Sequence, residues 1–311
     1  METEFQAALE AGDLAGLRAC PKADLHIHAL MGGDRDWVRA RTGRDIAPLE
    51  HVLGSMDEMH AWVSDATGDV FKGGAGRAVA FEATFAQAAL DGVTRLEVGD
   101  DVWGITQYDG TAQAVWRTLT EAHARGGPQV DWIPQMGMSR HCPYAALDWW
   151  MTPLLELGTF KTLDLSGDEF AQPIEVFVPL YRKAKAAGLK LKAHVGEWGT
   201  ADDVWRAVEL LELDEVQHGI AAADSPEVMR RLAETGVRLN LCPTSNLKLG
   251  RVARMEDHPI RRLYDAGVRV SVNTDDPLMF GNGVSAEFLT LFQAGVMTAA
   301  ELDAIRLDAL G

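Results

Sequence analysis

The sequence predicts an α/β chain folded as a (β/α)8 barrel of the TIM type, with extra helices at the N-terminus and over the barrel mouth. Three observations carry this. Eight short runs rich in β-branched and aliphatic residues recur along the 311 residues, each followed by a polar or Gly-containing loop and a helical stretch. No low-complexity tract or Pro/Ser-rich linker interrupts them, so residues 1–311 read as one domain. Nearly every residue able to do acid–base or metal chemistry falls at the C-terminal end of a run, where barrels build their active sites. A doubly wound sheet is the rival that periodicity alone leaves open, and the placement of the reactive residues favours the barrel.

Taken in order, Glu2–Cys20 reads as one amphipathic helix packed outside the barrel, and the first strand is expected at Ala23–His28. Residues 34–91 are too long for a single barrel helix and read as several helices near the mouth. Strands follow at Val93–Val98, Val130–Met136, Thr162–Leu165, Leu189–His194, Glu215–His218, Val237–Cys242 and Val268–Thr274. Most are nearly continuous apolar runs, as strands buried on both faces require. Val204–Leu213 and Pro226–Thr235 show helical patterns between them, the second stopped by Gly236.

Composition narrows the function classes. The chain has 29 Lys+Arg against 46 Asp+Glu, a net charge of −17. A surface that acidic argues against a nucleic-acid partner, which needs basic stripes. No apolar run approaches a membrane span, and the opening METEFQ lacks the features of a signal peptide. Cys20, Cys142 and Cys242 are too few for a disulfide framework. A cytoplasmic enzyme acting on a small molecule is the expectation, and a homo-oligomer is compatible with it.

Three strand ends hold the chemistry. In Asp24-Leu25-His26-Ile27-His28, histidines two apart on a strand share a face and can share one metal. His194-Val195-Gly196-Glu197 ends the fifth strand, and Asn273-Thr274-Asp275-Asp276-Pro277 ends the eighth. Each has a structural reading on its own: a core histidine, a turn, a helix cap. Barrel closure joins them. The eighth strand lies beside the first, bringing Asp275 toward His26 and His28, and the fifth faces them with His194. Three imidazoles, one carboxylate and an open position suit one catalytic zinc per chain. The fourth strand ends Asp164-Leu165-Ser166-Gly167, with no lysine to bridge a second metal. Glu197, just beyond the metal, is placed to exchange protons with substrate. His218, ending the sixth strand, is placed to orient or deprotonate a water.

These motifs have a family. PKADLHIH, DLSGDE, HVGE, QHG, LCPTSN and VNTDDP occur in the order and spacing of the adenosine/AMP deaminase branch of the metal-dependent amidohydrolases, which the chain resembles from Pro21 to Pro277. The resemblance implies a zinc-bearing barrel that hydrolyses the exocyclic amine of a purine. It makes His26, His28, His194 and Asp275 the zinc ligands, with Asp275 counted among the catalytic residues. It implies that Glu197 protonates ring N1 as hydroxide attacks C6, and that His218 holds and deprotonates the water. Asp276 would hydrogen-bond N7, and Gly167 would offer its backbone amide to the purine. Asp24, Val195 and Gln217 replace the family's Glu, Ala and Gly, and Gly99 replaces a common arginine.

The largest departure follows His28. The family places an acidic residue there to reach the sugar, whereas this chain has Ala29-Leu30-Met31-Gly32. Adenosine, converted to inosine and ammonia, is the default substrate; adenine, a 5′-modified adenosine or another aminated heterocycle is the alternative. Unless Asp34 or Asp36 replaces the missing carboxylate, a 5′-deoxy analogue should serve at least as well as adenosine. A metal phosphoesterase is a remote reading, opposed by HVGE followed by NTDDP. A non-catalytic barrel is opposed by the intact ligands and Glu197. Trp103 and Trp198 either line the pocket or pack, Thr244, Ser245 and Asn246 either face the mouth or cap a helix, and Cys242 reads as a buried thiol.

Overall fold

Eight parallel strands follow one another around the sheet in chain order in the computed structural model, which describes residues 2–311. They are β1 (Lys22–Asp24), β2 (Val93–Asp101), β3 (Asp131–Ser139), β4 (Thr162–Ser166), β5 (Lys190–Val195), β6 (Glu215–His218), β7 (Arg238–Leu241) and β8 (Arg269–Val272). The ring is nearly closed by an Ile27–Asp275 bridge. His28 N donates to Asp275 O and Asp275 N donates to His26 O, both at 2.9 Å. A sequential order has no point where the strand order reverses, so the doubly wound alternative is excluded.

The largest differences from expectation lie at the N-terminal stretch, β1, β2 and β3. The N-terminal stretch is two helices, α1 (Glu4–Ala11) and α2 (Leu14–Ala19). Gly12, at φ 65°, ends the first in the left-handed region, and Asp13 caps the second. β1 stops at Asp24 rather than His28. The Asp24 carboxylate accepts from His26 N at 3.3 Å and from Thr274, so side-chain bonds replace ladder bonds there. β2 and β3 each run three residues further than predicted, to Asp101 and Ser139. Their polar ends read as loop in the sequence, yet they stay paired above the rim, Asp101 beside Gly137.

Between β1 and β2 lie α3 (Arg35–Thr42), α4 (Met56–Thr67) and α5 (Gly73–Leu90). An apolar cluster separate from the main core, including Met31, Val38, Leu53, Phe71 and Leu278, fastens this segment to the barrel's catalytic end. Among the described residues no helix is long and apolar enough to cross a membrane.

The lower half of the barrel interior is polar. Lys192, fully buried, bonds Glu97 at 2.6 Å, Glu215 at 3.0 Å and the carbonyl of Leu25 at 3.0 Å. Removing one partner of such a group leaves buried charge uncompensated. Lys192→Met should therefore lower unfolding free energy by about 3–5 kcal/mol. Urea unfolding with an unchanged slope would check it, and a loss below ~1 kcal/mol would show that water already screens the group.

Candidate active site

The C-terminal ends of the strands converge on one point. His194 Nε2, at the end of β5, stands 3.1 Å from His26 Nε2 and 3.2 Å from His28 Nε2. Asp275 Oδ1 lies 3.2 Å from His28 Nε2 and 3.5 Å from His26 Nε2. The four donor atoms all lie within 4.8 Å of one another. Outer partners set the rings. His26 Nδ1 meets the Asn240 carbonyl at 3.2 Å, and His194 Nδ1 meets the Asp164 carboxylate at 3.2 Å. Those acceptors place the ring hydrogens on Nδ1 of both rings, leaving the Nε2 lone pairs aimed at each other. Lone pairs that close repel unless a cation lies among them. The donor set therefore fits a metal.

Electrostatics point the same way. Burial alone would lower the His28 pKa, but Asp276, Asp275 and Asp164 outweigh it and raise it to about 10. Burial likewise opposes charge on Asp275, yet its bonds to His26 and His28 hold it well below the usual carboxylate range. The same conflict at Asp164 is won by His194, which lowers it to about 2. The pocket thus favours one positive charge where the ligands meet. Asp275 at φ 65° and His218 at φ 61° are two of the three non-glycine residues in the left-handed region among those described. Such strained backbone concentrates at functional sites.

A second quartet, His26, His218, Cys242 and Asp275, also converges. All four of its members are buried, and Cys242 does not line the cavity above the site. Burial and the surrounding carboxylates push the Cys242 thiol well above its usual range. A catalytic metal needs an open coordination position, which the set containing the half-exposed His28 offers.

Around the ligands stand the groups that can move protons. Glu197 follows the turn at Gly196, whose φ of 73° a side chain rarely tolerates. The turn is fixed by Glu169, whose carboxylate accepts from the backbone N–H groups of Gly196, Glu197 and Trp198 at 2.8–2.9 Å. Arg140 ties down the same corner through the carbonyls of His194 and Glu169. Glu197 Oε1 is buried with no hydrogen-bond partner among the described residues, and burial, Asp275 and Glu169 push the carboxyl well above its usual range. His218 Nε2 lies 3.5 Å from Glu197 Oε1, and burial among imidazoles holds its pKa well below normal. Both carboxyl oxygens of Asp276 are buried with no hydrogen-bond partner among the described residues, and burial with Asp275 pushes it up to about 8. Gly167, at φ 89°, sits on the wall past β4.

The cavity they share holds about 300 Å³. Leu30 and Met31 form one side, and α4 covers the mouth with Met56, Met59, His60 and Val63. Trp103 lines it. Trp198 stands beside it instead, its ring N–H on Glu197 Oε2 at 3.1 Å and Arg251 stacked on its face. Asp34 caps α3 and Asp36 pairs with Arg39 on the surface, so neither replaces the carboxylate absent after His28.

The sequence left several working residues unassigned. Ser245 donates to Asp275 Oδ2 at 2.6 Å, and the Asn246 amide lies 3.4 Å from His218 Nδ1 and 3.3 Å from His258. Both hold the site, and neither caps the short helix Pro243–Lys248. Thr244 meets Glu287 through its backbone N–H at 3.0 Å. The signal for Asp164 and Glu169 was present in DLSGDE: Asp164 is an acid on a strand facing His194, and Glu169 an acid just past that strand beside the Gly196 turn.

Residues 76–310 match the family described as adenosine deaminase. A Treponema pallidum (strain Nichols) relative, whose name provisionally assigns it as an adenosine/adenine deaminase, is 34% identical over 288 residues, 93% of this chain and 96% of that protein. The adenine deaminase of Cupriavidus necator is 28% identical, covering 92% and 85%. Among solved structures, the adenine deaminase of Arthrobacter aurescens superposes with a TM-score of 0.79 at 24% identity, covering 93% of each chain. A Burkholderia ambifaria amidohydrolase with bound zinc gives 0.77 at 24% identity, covering 96% and 87%.

Proposed function

The chain belongs to the adenosine deaminase family and is a hydrolase of C–N bonds, and from that premise we propose that it deaminates a 6-aminopurine, with adenine ahead of adenosine. One observation carries the reading: a single cavity brings together His28, His194 and Asp275 of the donor set, the Glu197 and Asp276 carboxyls, and His218. The default to adenosine gives way on two grounds. The Cupriavidus necator relative is named for adenine, and the Treponema pallidum relative for both. The wall after His28 is apolar, with Asp34 and Asp36 turned away, so ribose meets no carboxylate there.

In this reading His26, His28, His194 and Asp275 hold one divalent metal, zinc by the character of the donors. When bound, the ion supplies Lewis-acid activation of a water. Glu197, kept protonated by burial and by its acidic neighbours, gives its proton to N1 and makes C6 electrophilic. His218, kept neutral, takes a proton from the water attacking C6. That proton passes to the amine, the C6–N bond breaks and ammonia leaves, while the C6 hydroxyl gives its remaining proton back to the Glu197 carboxylate, so C6 becomes a carbonyl and N1 keeps its hydrogen. Asp276, protonated, donates to N7, and the Gly167 N–H meets N3 on the opposite edge.

Ammonia release from adenine, adenosine and AMP, compared at one pH, tests this. We expect kcat/KM for adenine at least ~10-fold above adenosine, equal to about 1.4 kcal/mol, with AMP the poorest. Adenosine ahead by that margin would restore it as the substrate. No release from any of the three would remove the deaminase reading itself.

A further inference from the structure

The cavity contains acceptors on the β2–β3 side that the proton-transfer scheme does not use. Asp101 and Gln135 sit on these adjacent strands, and the register pairs Asp101 with Gly137 and Gly99 with Gln135. Side chains two apart on a strand share a face, so Asp101, Gln135 and Ser139 all look inward, and all three line the cavity. Gln135 is 93% buried by its 7% exposure, and its Oε1 has no hydrogen-bond partner among the described residues. The Asp101 carboxylate takes one side-chain donor among those residues, Trp103 Nε1 on Oδ2 at 2.9 Å. Its Oδ1 lies over Gly137, where an added Cβ would come within 2.3 Å of it. Glycine at 137 is what leaves the carboxylate room. Trp103 is itself stacked under Arg77 at 4.5 Å, so the carboxylate is aimed rather than loose. Asp100, next along, is already committed to Arg77 and to Tyr108 OH. Gln135 Oε1 therefore lacks a donor and the half-buried Asp101 Oδ1 takes none from a side chain among those residues, and a buried acceptor such as Gln135 Oε1 costs free energy until a ligand supplies a donor.

Strand order says which edge of a purine would face them. With C6 over the donor set, Glu197 past β5 takes N1, Gly167 past β4 takes N3, and Asp276 past β8 takes N7. On the ring, N9 lies between N3 and N7 on the side away from C6. On the rim, the sector between β4 and β8 on that side is β3, β2 and β1. β1 offers only Leu30 and Met31 after His28. The N9 edge thus meets Asp101 and Gln135. Free adenine carries its ring hydrogen on N9 in its prevailing tautomer, and that hydrogen is the missing donor.

We propose that Asp101, assisted by Gln135, is a specificity-determining residue that accepts the N9–H of a free purine base and so selects against purines substituted at N9. The proposal rests on the deaminase reading and deepens it, because it supplies from β2 the carboxylate that the segment after His28 lacks.

The test compares adenine with 9-methyladenine and adenosine in the wild type, Asp101→Asn and Asp101→Leu, with thermal melting as the check of folding. Loss of a charge-assisted hydrogen bond predicts that kcat/KM for adenine falls by about 10- to 100-fold in Asp101→Asn and further in Asp101→Leu. For 9-methyladenine the change should stay within about threefold, collapsing the wild-type preference. An equal fall on adenine and 9-methyladenine would make Asp101 structural and overturn the proposal. So would a wild-type preference for adenosine that vanishes in Asp101→Asn, since Asp101 would then be holding a ribose hydroxyl. Calorimetric titration with hypoxanthine and 9-methylhypoxanthine reads the same contact without turnover. Discrimination there, lost in Asp101→Asn, supports the proposal even if no amine is released, a result that would defeat only the deaminase reading. Equal affinity for both in the wild type overturns it.

Discussion

Glu197→Gln should lower kcat on adenine by at least ~10²-fold while metal content stays at the wild-type level. The substitution keeps the shape and the hydrogen-bonding length of the side chain and removes only the transferable proton. Glu197 lies outside the converging donor set, so its loss leaves the four donors in place. Its backbone is held independently by Glu169, which accepts from three successive N–H groups, so the turn should survive. An acid that gives its proton to N1 acts as C6 is attacked, not as substrate binds, and KM should move much less than kcat. Steady-state kinetics beside metal analysis on one preparation separate the two quantities. Unchanged turnover would take N1 protonation away from Glu197. Lost metal would make the residue a scaffold for the ligands instead.

How much of this could be read from the sequence depended on whether function rested on side-chain identity or on where backbone goes. His26, His28, His194 and Asp275 were legible because barrel closure forces strands one, five and eight to face a common lumen, and the structure brings all four within 4.8 Å. The motifs then named the partners around them. Boundaries were less legible. Asp24 ends β1 early because its carboxylate captures His26 N and Thr274, a competition between side chain and ladder that no periodicity reveals. Asp100 and Asp101 looked like a loop because acids and glycine are poor strand formers, yet the register with β3 carries them inward. Ser245 and Asn246 were ambiguous since both are good caps. Only the position of the Pro243–Lys248 helix, directly beneath Asp275 and His218 in bonding order, resolves their role. The adenosine default had a related origin: the carboxylate missing after His28 was legible in the sequence, and the turning away of Asp34 and Asp36 from that wall was not.

His194→Ala should remove both metal and turnover. His194 Nε2 is the donor in contact with both other imidazoles, at 3.1 and 3.2 Å. Without it, Asp164 loses the partner that holds it ionised at 3.2 Å. Three donors remain, one of them the half-exposed His28, and the buried Asp164 carboxylate then faces an empty position. Metal analysis of purified protein should fall from about one equivalent per chain, as one ligand set supports one site, to well below it. Ammonia release should drop below detection, and excess zinc in the assay should not restore it. Asp164→Asn is the graded comparison, since it keeps all four donors and alters only what orients His194; weakening of metal affinity by about 10- to 100-fold is expected there. Cys242→Ser should leave metal content unchanged if the open set is the working one. Full metal and full activity in His194→Ala, with metal lost in Cys242→Ser, would move the site to the buried quartet of His26, His218, Cys242 and Asp275.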